Sequence, residues 1–520
     1  MGQDTKTPPS PFNENFNELT NKLLKDFHVP GISVAVVDGD DVFSKGYGFA
    51  DLPSTPATPE TLYYIGSITK NIFATTLTKY SQETKNQITL QTKLADLIRD
   101  DFVIRDTWAC NHISFEDVFC HRTGMTRHNL LFGGPGDTVK NVTRALRYLP
   151  LSTEARQQFD YCNTMYAAAT HAMEAKTGEP LSKKMKELIF EPLGMHDTFT
   201  SRKAALEDGH DKVRLYDGFE WYGKHDANGE GRFVNAEHID LAPCGGAGFV
   251  ISNVLDMAKY TKAWLGHDDL LSKEIRDEVS RPRISTTKNA YNEEYAQYAL
   301  GLYRRTYNGV EIIGHSGGLT GYTSLFNTVP SLNFGFVVLG NSITATVVAE
   351  ILFHHLLNER LHLSEEKRFD FVGQNLIEKT YKRQTLDEAT KEKYPSLPEK
   401  NAPLALPIAE YAGSFHHPAY RTFTFEVKPG TEFSHGKQYL EAIVTDRAWP
   451  FVLRLFHVSG DYWLGYQLNG SMEHEGQTVG WIRAVSKQAI EGTVREWGIE
   501  MEPDLQRKNW TDKLIWFART

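Results

Sequence analysis

Two apolar, strand-like runs, Ile32 to Val37 and Val42 to Gly48, meet at an Asp38-Gly39-Asp40 turn, and their counterparts appear only far along the chain, between Tyr298 and Asn341. Between the two groups, from Ser67 to about Ala263, the pattern is of helices and glycine-containing loops. Strands that flank a helical block bury their apolar faces by pairing with one another. This predicts an α/β (α+β) architecture: one antiparallel sheet closed by its terminal strands, with a helical insertion. A helix over Phe16 to Phe27, stopped by Val29-Pro30-Gly31, and another over Val347 to Leu361 complete that unit. With 520 residues the chain exceeds the usual ~100 to 200 residues of one domain. Residues 363–405 are charged, rich in Lys and Glu, and close on Pro395, Pro398 and Pro403, with Pro407 just beyond, which reads as a helix and linker. From Tyr411 to Arg519 apolar and polar residues alternate between frequent turns, the pattern of a small antiparallel barrel. The expected division is 1–362, 363–405 and 406–520.

Three short motifs carry the chemistry: Ser67-Ile68-Thr69-Lys70, Tyr161-Cys162-Asn163 and His315-Ser316-Gly317. A serine hydroxyl is a poor nucleophile without a base in hydrogen-bond reach, and a lysine one helical turn later lies on the same face. Ser67 is therefore the candidate nucleophile and Lys70 its neighbouring base, with the Tyr161 phenol a second proton shuttle. A strand motif rich in glycine, His315-Ser316-Gly317-Gly318, lets backbone and substrate lie close together.

Each motif has rivals. Ser-x-x-Lys recurs at Ser285 to Lys288, Ser364 to Lys367 and Ser434 to Lys437. Only Ser67 stands between an aromatic run (Leu62-Tyr63-Tyr64-Ile65) and a helical stretch; Ser364 and Ser434 read as surface positions. Lys176-Thr177-Gly178 follows an alanine-rich helix and reads as its cap, with the lysine at the negative helix end. His474-Glu475-Gly476 reads as a turn. His315 follows the strand-like Val310-Glu311-Ile312-Ile313-Gly314, and Tyr-x-Asn occurs once.

In this order the motifs resemble those of the serine β-lactamases and penicillin-binding proteins, in particular the class C branch with its esterase relatives. Val29-Pro30-Gly31, Lys45-Gly46-Tyr47-Gly48, His121-Arg122-Thr123-Gly124-Met125-Thr126, Gly245-Gly246-Ala247-Gly248 and Gly321-Tyr322 also resemble that family's landmarks, over roughly residues 28 to 360. The resemblance implies an acyl-enzyme path. Ser67 attacks an acyl carbonyl, Lys70 and Tyr161 move its proton, and the backbone N–H groups of Ser67 and Gly318 hold the oxyanion. Asn163 orients Lys70 and a substrate amide or carbonyl. Which of Lys70 and Tyr161 is the base stays open. The terminal segment is similar to the lipocalin-like domain appended to some members, with a structural or lid-forming role.

One departure is informative. His315 stands where the lactamases usually carry lysine, and a histidine with a reference pKa near 6.5 is mostly neutral at pH 7. This points away from substrates held by a carboxylate and toward a serine esterase or amidase acting on a small acyl substrate. The alternative is an acyltransferase, transesterase or peptide cyclase in which an amine or alcohol replaces water.

A net charge of −10 argues against nucleic acid or an anionic membrane as partner. Cys110, Cys120, Cys162 and Cys244 are too few and too scattered for a disulfide framework, and no Cys or His spacing matches a metal site, so neither metal nor cofactor is expected. The start Met1-Gly2-Gln3-Asp4-Thr5-Lys6 has no apolar signal region, and Lys6 stands where a myristoylation signal needs Ser or Thr. A cytoplasmic setting is expected. Sequons at Asn141, Asn469 and Asn509 matter only in a secreted chain. The oligomeric state is not legible.

Overall fold

The computed structural model describes residues 9–207, 209, 214–223, 231–236, 238–286, 296–370, 374, 384–469, 478–490 and 492–520. Residues 1–8, Lys288, Gly470 and Ser471 of the second sequon, and the 474–476 turn lie outside them.

The two distant groups of strands form one nine-stranded sheet. Its order is Thr55–Pro56, Asp41–Asp51, Gly31–Asp38, Phe334–Gly340, Tyr322–Val329, Val310–Leu319, Tyr303–Tyr307, Ala296–Tyr298 and Ile284–Ser285. The first and last long strands pair antiparallel, Ile32 opposite Gly340 through Asp38 opposite Phe334, which closes the sheet as the pattern requires. Because side chains alternate across a strand, the central strands feed two cores. Val34, Val36, Phe336 and Val338 pack against the Glu14–Asp26 and Ala345–Arg360 helices. Ala35, Val37, Val337 and Leu339 face the helical insertion.

The Ile68–Glu83 helix lies at the centre of that insertion, and every residue from Ile68 to Thr78 is buried. A helix buried all round cannot be amphipathic, so its polar residues must be satisfied locally. Thr75, Thr76 and Thr78 do so by donating to the carbonyls of Asn71, Ile72 and Ala74 at 2.7 to 2.8 Å.

Eight antiparallel strands, from Gly413–His417 to Ile515–Arg519, close a barrel. Aromatic rings fill its interior: Phe423 stacks on Phe517 with centroids 4.6 Å apart, and Trp497 meets Trp463 at 5.3 Å and Phe425 at 5.8 Å. The linker helix Leu386–Lys393, opened by a Thr385/Glu388 capping box, packs Ala389 onto the outside of this barrel beside Tyr439 and Trp481.

The barrel docks on the loop that follows Met125. Ala448 N–H donates to the Phe132 carbonyl at 3.0 Å, Gly134 N–H to that of Asp446 at 3.1 Å, and the wholly buried Arg447 side chain to the Leu130 carbonyl at 3.1 Å. His128 Nδ1 meets the Tyr420 hydroxyl at 2.7 Å.

Gly178, at φ +70°, caps the Asn163–Thr177 helix, so Lys176-Thr177-Gly178 is a helix end. Ser364 is exposed as expected, but Ser434 is not a surface residue. It is 2% exposed, because its hydroxyl closes a turn by donating to the Lys437 carbonyl at 2.7 Å.

Candidate active site

The chain enters the central helix through Gly66, whose φ of +49° lies in the left-handed region that favours glycine. A serine at a helix N-cap ordinarily spends its side-chain oxygen on a backbone N–H of the first turn. Ser67 makes no such bond. Its Oγ instead takes Lys70 Nζ at 2.9 Å and the Tyr161 hydroxyl at 2.8 Å. The helical i,i+3 spacing brings in the lysine, and the phenol comes from the extended segment that precedes the Asn163–Thr177 helix.

Lys70 is 0% exposed, and Nζ has a second contact, the Ala247 carbonyl at 2.7 Å. Among the described residues no carboxylate is hydrogen-bonded to it. Burial therefore pushes the ammonium down to about 7, with Arg127 adding repulsion. Burial moves Tyr161 the other way, above the usual phenol range. Near neutral pH the lysine has a substantial free-amine fraction while the tyrosine keeps its proton.

The Val310–Leu319 strand passes beside Gly66. A Cβ on Gly66 would stand 3.1 Å from the Gly318 nitrogen, and one on Gly317 only 2.1 Å from the Ile65 carbonyl oxygen. Backbone approach this close admits only glycine. Pairing with Tyr303–Tyr307 ends at Gly314, so among the described residues His315 to Leu319 keep one edge without a strand partner. Gly318 is exposed and Ser316 half-buried along that edge.

His315 is 4% exposed and turned into an aromatic cage. Its Nδ1 lies 2.5 Å from the Ser316 carbonyl, which can only accept, so Nδ1 carries the proton. Nε2 then accepts the Tyr298 hydroxyl at 2.8 Å. Both nitrogens are occupied, and burial holds the imidazole down to about 3. The ring is neutral, as its reference pKa led one to expect, and it presents no free nitrogen to a substrate.

Asn163 caps the other side. Its Nδ2 donates to Asn129 Oδ1 at 2.9 Å, and its buried Oδ1 has no hydrogen-bond partner among the described residues. The bond to Lys70 implied by the resemblance is not formed; the oxygen is left as an acceptor. Asn129 sits in the loop to which the barrel docks, which couples Asn163 to the barrel.

Several residues at the site were not among the candidates drawn from the sequence. The His121 ring lies 4.1 Å from that of Tyr161, with Nδ1 accepting from Cys162 N–H at 2.9 Å. The Arg127 guanidinium lies 5.6 Å over the Tyr161 ring. Next to Tyr161 is a cavity of about 160 Å³ lined by Arg127, Phe159, Tyr303, Thr286 and, from the barrel, Asp504 and Gln506. The barrel segment is anchored by Glu502, which accepts His128 N–H, and by Gln506 N–H on Ser152 Oγ at 2.8 Å. Only the landmark around His121 marked part of this wall; the barrel residues lie too far along the chain for any motif to join them to it.

Two arginines of the neighbouring strand are tied elsewhere, Arg304 to Glu311 and Arg305 to Asn327 at 3.0 Å and Glu350 at 3.6 Å. The four cysteines are buried and free. Among the described residues no cluster of three or more His, Cys, Asp or Glu is placed to hold a metal, and no helix is long and apolar enough to cross a membrane.

This fold and site define a serine β-lactamase-like enzyme. The Beta-lactamase family matches residues 16–357, so the chain belongs to that family and is an enzyme of its superfamily, a hydrolase in general terms. It is 32% identical over 472 residues to the unguisins hydrolase ungD' of Aspergillus campestris, covering 89% of this chain and 86% of the relative. It is 29% identical over 546 residues to the unguisins hydrolase ungD of Aspergillus violaceofuscus, covering 100% and 92%. Among solved structures, the octameric penicillin-binding protein homologue from Pyrococcus abyssi superposes with a TM-score of 0.56 at 20% identity, over 97% of this chain and 99% of that one. The D-amino acid amidase from Ochrobactrum anthropi SV3 gives 0.55 at 20% identity, over 67% and 99%.

Proposed function

We propose that the protein is an amide or ester hydrolase that works through an acyl group on Ser67. The observation that carries this reading is the pair of contacts on Ser67 Oγ, one from a buried lysine without a carboxylate partner and one from a protonated tyrosine.

Free-amine Lys70 takes the Ser67 proton as Oγ attacks the carbonyl. The carbonyl oxygen becomes an oxyanion in front of the Ser67 and Gly318 N–H groups, and one such donor typically contributes on the order of 100- to 1000-fold in rate. Tyr161 hands a proton to the departing amine or alkoxide and is restored through Lys70. Water then enters by the reverse relay and releases the acid. The open edge of His315 to Leu319 suits an extended peptide laid alongside it, and Asn163 Oδ1 offers an acceptor for a substrate N–H.

Unguisins, the compounds named for two relatives, are the first substrates to try. Incubating an unguisin with the protein and following its mass should show the gain of one water, absent with Ser67→Ala. Conversion that persists in Ser67→Ala would remove the reading. Release with an added amine in place of water would shift it to acyl transfer.

A further inference from the structure

The cavity beside Tyr161 contains an ion pair that the reaction does not use. Arg127 Nε lies 3.3 Å from Asp504 Oδ2, and the two side chains remain 42% and 63% exposed. The pair joins the two parts of the chain, since Arg127 follows the His121 to Thr126 segment and Asp504 comes from the barrel loop after the Val494–Ile499 strand. Arg127 shares the cavity wall with Tyr161, and its charge is felt at Lys70, Tyr161, His121 and Tyr303. Tyr161 is the group that protonates the leaving atom in the reading above, so the cavity lies where the leaving group departs.

We propose that Asp504 acts as a built-in carboxylate that occupies Arg127 and so closes the leaving-group subsite to substrates carrying an acidic group next to the scissile bond. The proposal rests on Ser67 being the acylated residue. An exposed pair of this kind contributes little to stability, so its cost to the fold is small in either state. Its effect on selectivity is larger. A guanidinium recognises a carboxylate through paired, charge-assisted hydrogen bonds, and with Asp504 beside it the attraction that Arg127 offers a second carboxylate is offset by the charge of the first. An incoming carboxylate must also approach Asp504 itself, a like charge that the barrel loop cannot withdraw, because Glu502 and Gln506 pin it on both sides. The Asp160 carboxylate also lines the cavity and adds a second like charge against an anion, while the rings of Phe159, Tyr161 and Tyr303 remain for a neutral group. Neutral His315 removes one anionic subsite from this enzyme, and Asp504 masks the other.

The test uses the full-length protein and two aryl esters that differ in one group, 3-carboxyphenyl acetate and 3-carbamoylphenyl acetate. Wild type should prefer the carbamoyl ester. Asp504→Asn, an isosteric change at an exposed position, should raise the ratio of kcat/KM for the carboxy ester over the carbamoyl ester by about 10-fold, the scale of one charge-assisted contact. The double variant Arg127→Gln, Asp504→Asn should lose that gain. An unchanged ratio in Asp504→Asn, or a gain that survives in the double variant, overturns the proposal. If wild type forms no acetyl adduct at Ser67 with either ester, the acyl-Ser67 reading falls and takes the proposal with it, whereas adduct formation with an unchanged ratio removes the proposal alone.

Discussion

The interior of the barrel and the floor of the acyl site are both buried, yet they are built from opposite materials. The barrel encloses Phe423, Phe517, Trp463 and Trp497, rings whose burial stabilises the fold directly. The site encloses Lys70, His121, His315 and Tyr161, whose burial works against their charged forms. The first region is optimised for stability and the second is held in place by the packing around it, so the same kind of substitution should act in opposite directions in the two.

The largest effect expected is on catalysis. Ser67→Ala should lower kcat/KM for any acyl substrate by at least about 10,000-fold, as losing a nucleophile does, with the far-ultraviolet circular dichroism unchanged. Tyr161→Phe keeps the ring against His121 and removes only the hydroxyl on Ser67, so a fall of about 100-fold or more is expected. Wild-type turnover by this variant would make the phenol structural.

Stability separates the two regions next. Phe423→Ala in the barrel should cost about 3 to 5 kcal/mol in denaturant unfolding. Lys70→Met should do the reverse. The folded pKa of Lys70 lies below its unfolded value, so the unfolded chain binds the extra proton. Stability therefore rises with pH from about 7 toward the ordinary lysine range, and the cost of the buried amine is fully present below 7. Removing it should raise Tm at pH 6 and change it least at pH 10. His315→Lys, which the bare motif would favour as a route to anionic substrates, should instead destabilise by at least about 2 kcal/mol. It would put an ammonium among the Tyr161, Tyr298 and Tyr303 rings, where among the described residues no carboxylate is hydrogen-bonded to the ring it replaces.

The same contrast explains what was legible in the sequence. Continuous apolar runs such as Ile32 to Val37 reveal a strand covered on both faces, and the alternation after Tyr411 reveals a barrel, because both patterns are local. Ser67 and Lys70 were legible for the same reason: one helical turn joins them. The direction of the His315 ring was not, since it depends on Tyr298, which reaches it from the Ala296–Tyr298 strand, two strands away in the sheet. Ser434 was misjudged because a turn of hydrophilic residues can bury its own hydroxyl. The wall formed by Arg127 and Asp504 was invisible, since it exists only once the barrel has docked on the loop around His128.

The most direct test of the central claim, that Ser67 is activated by a buried amine, is the rate of labelling by a fluorophosphonate followed by intact mass between pH 5 and 9. The account predicts a single adduct on Ser67, absent in Ser67→Ala, formed faster as pH rises and levelling off above an apparent pKa of about 7. A rate that is flat across this range, or that climbs steadily toward pH 9 without a plateau, would contradict it.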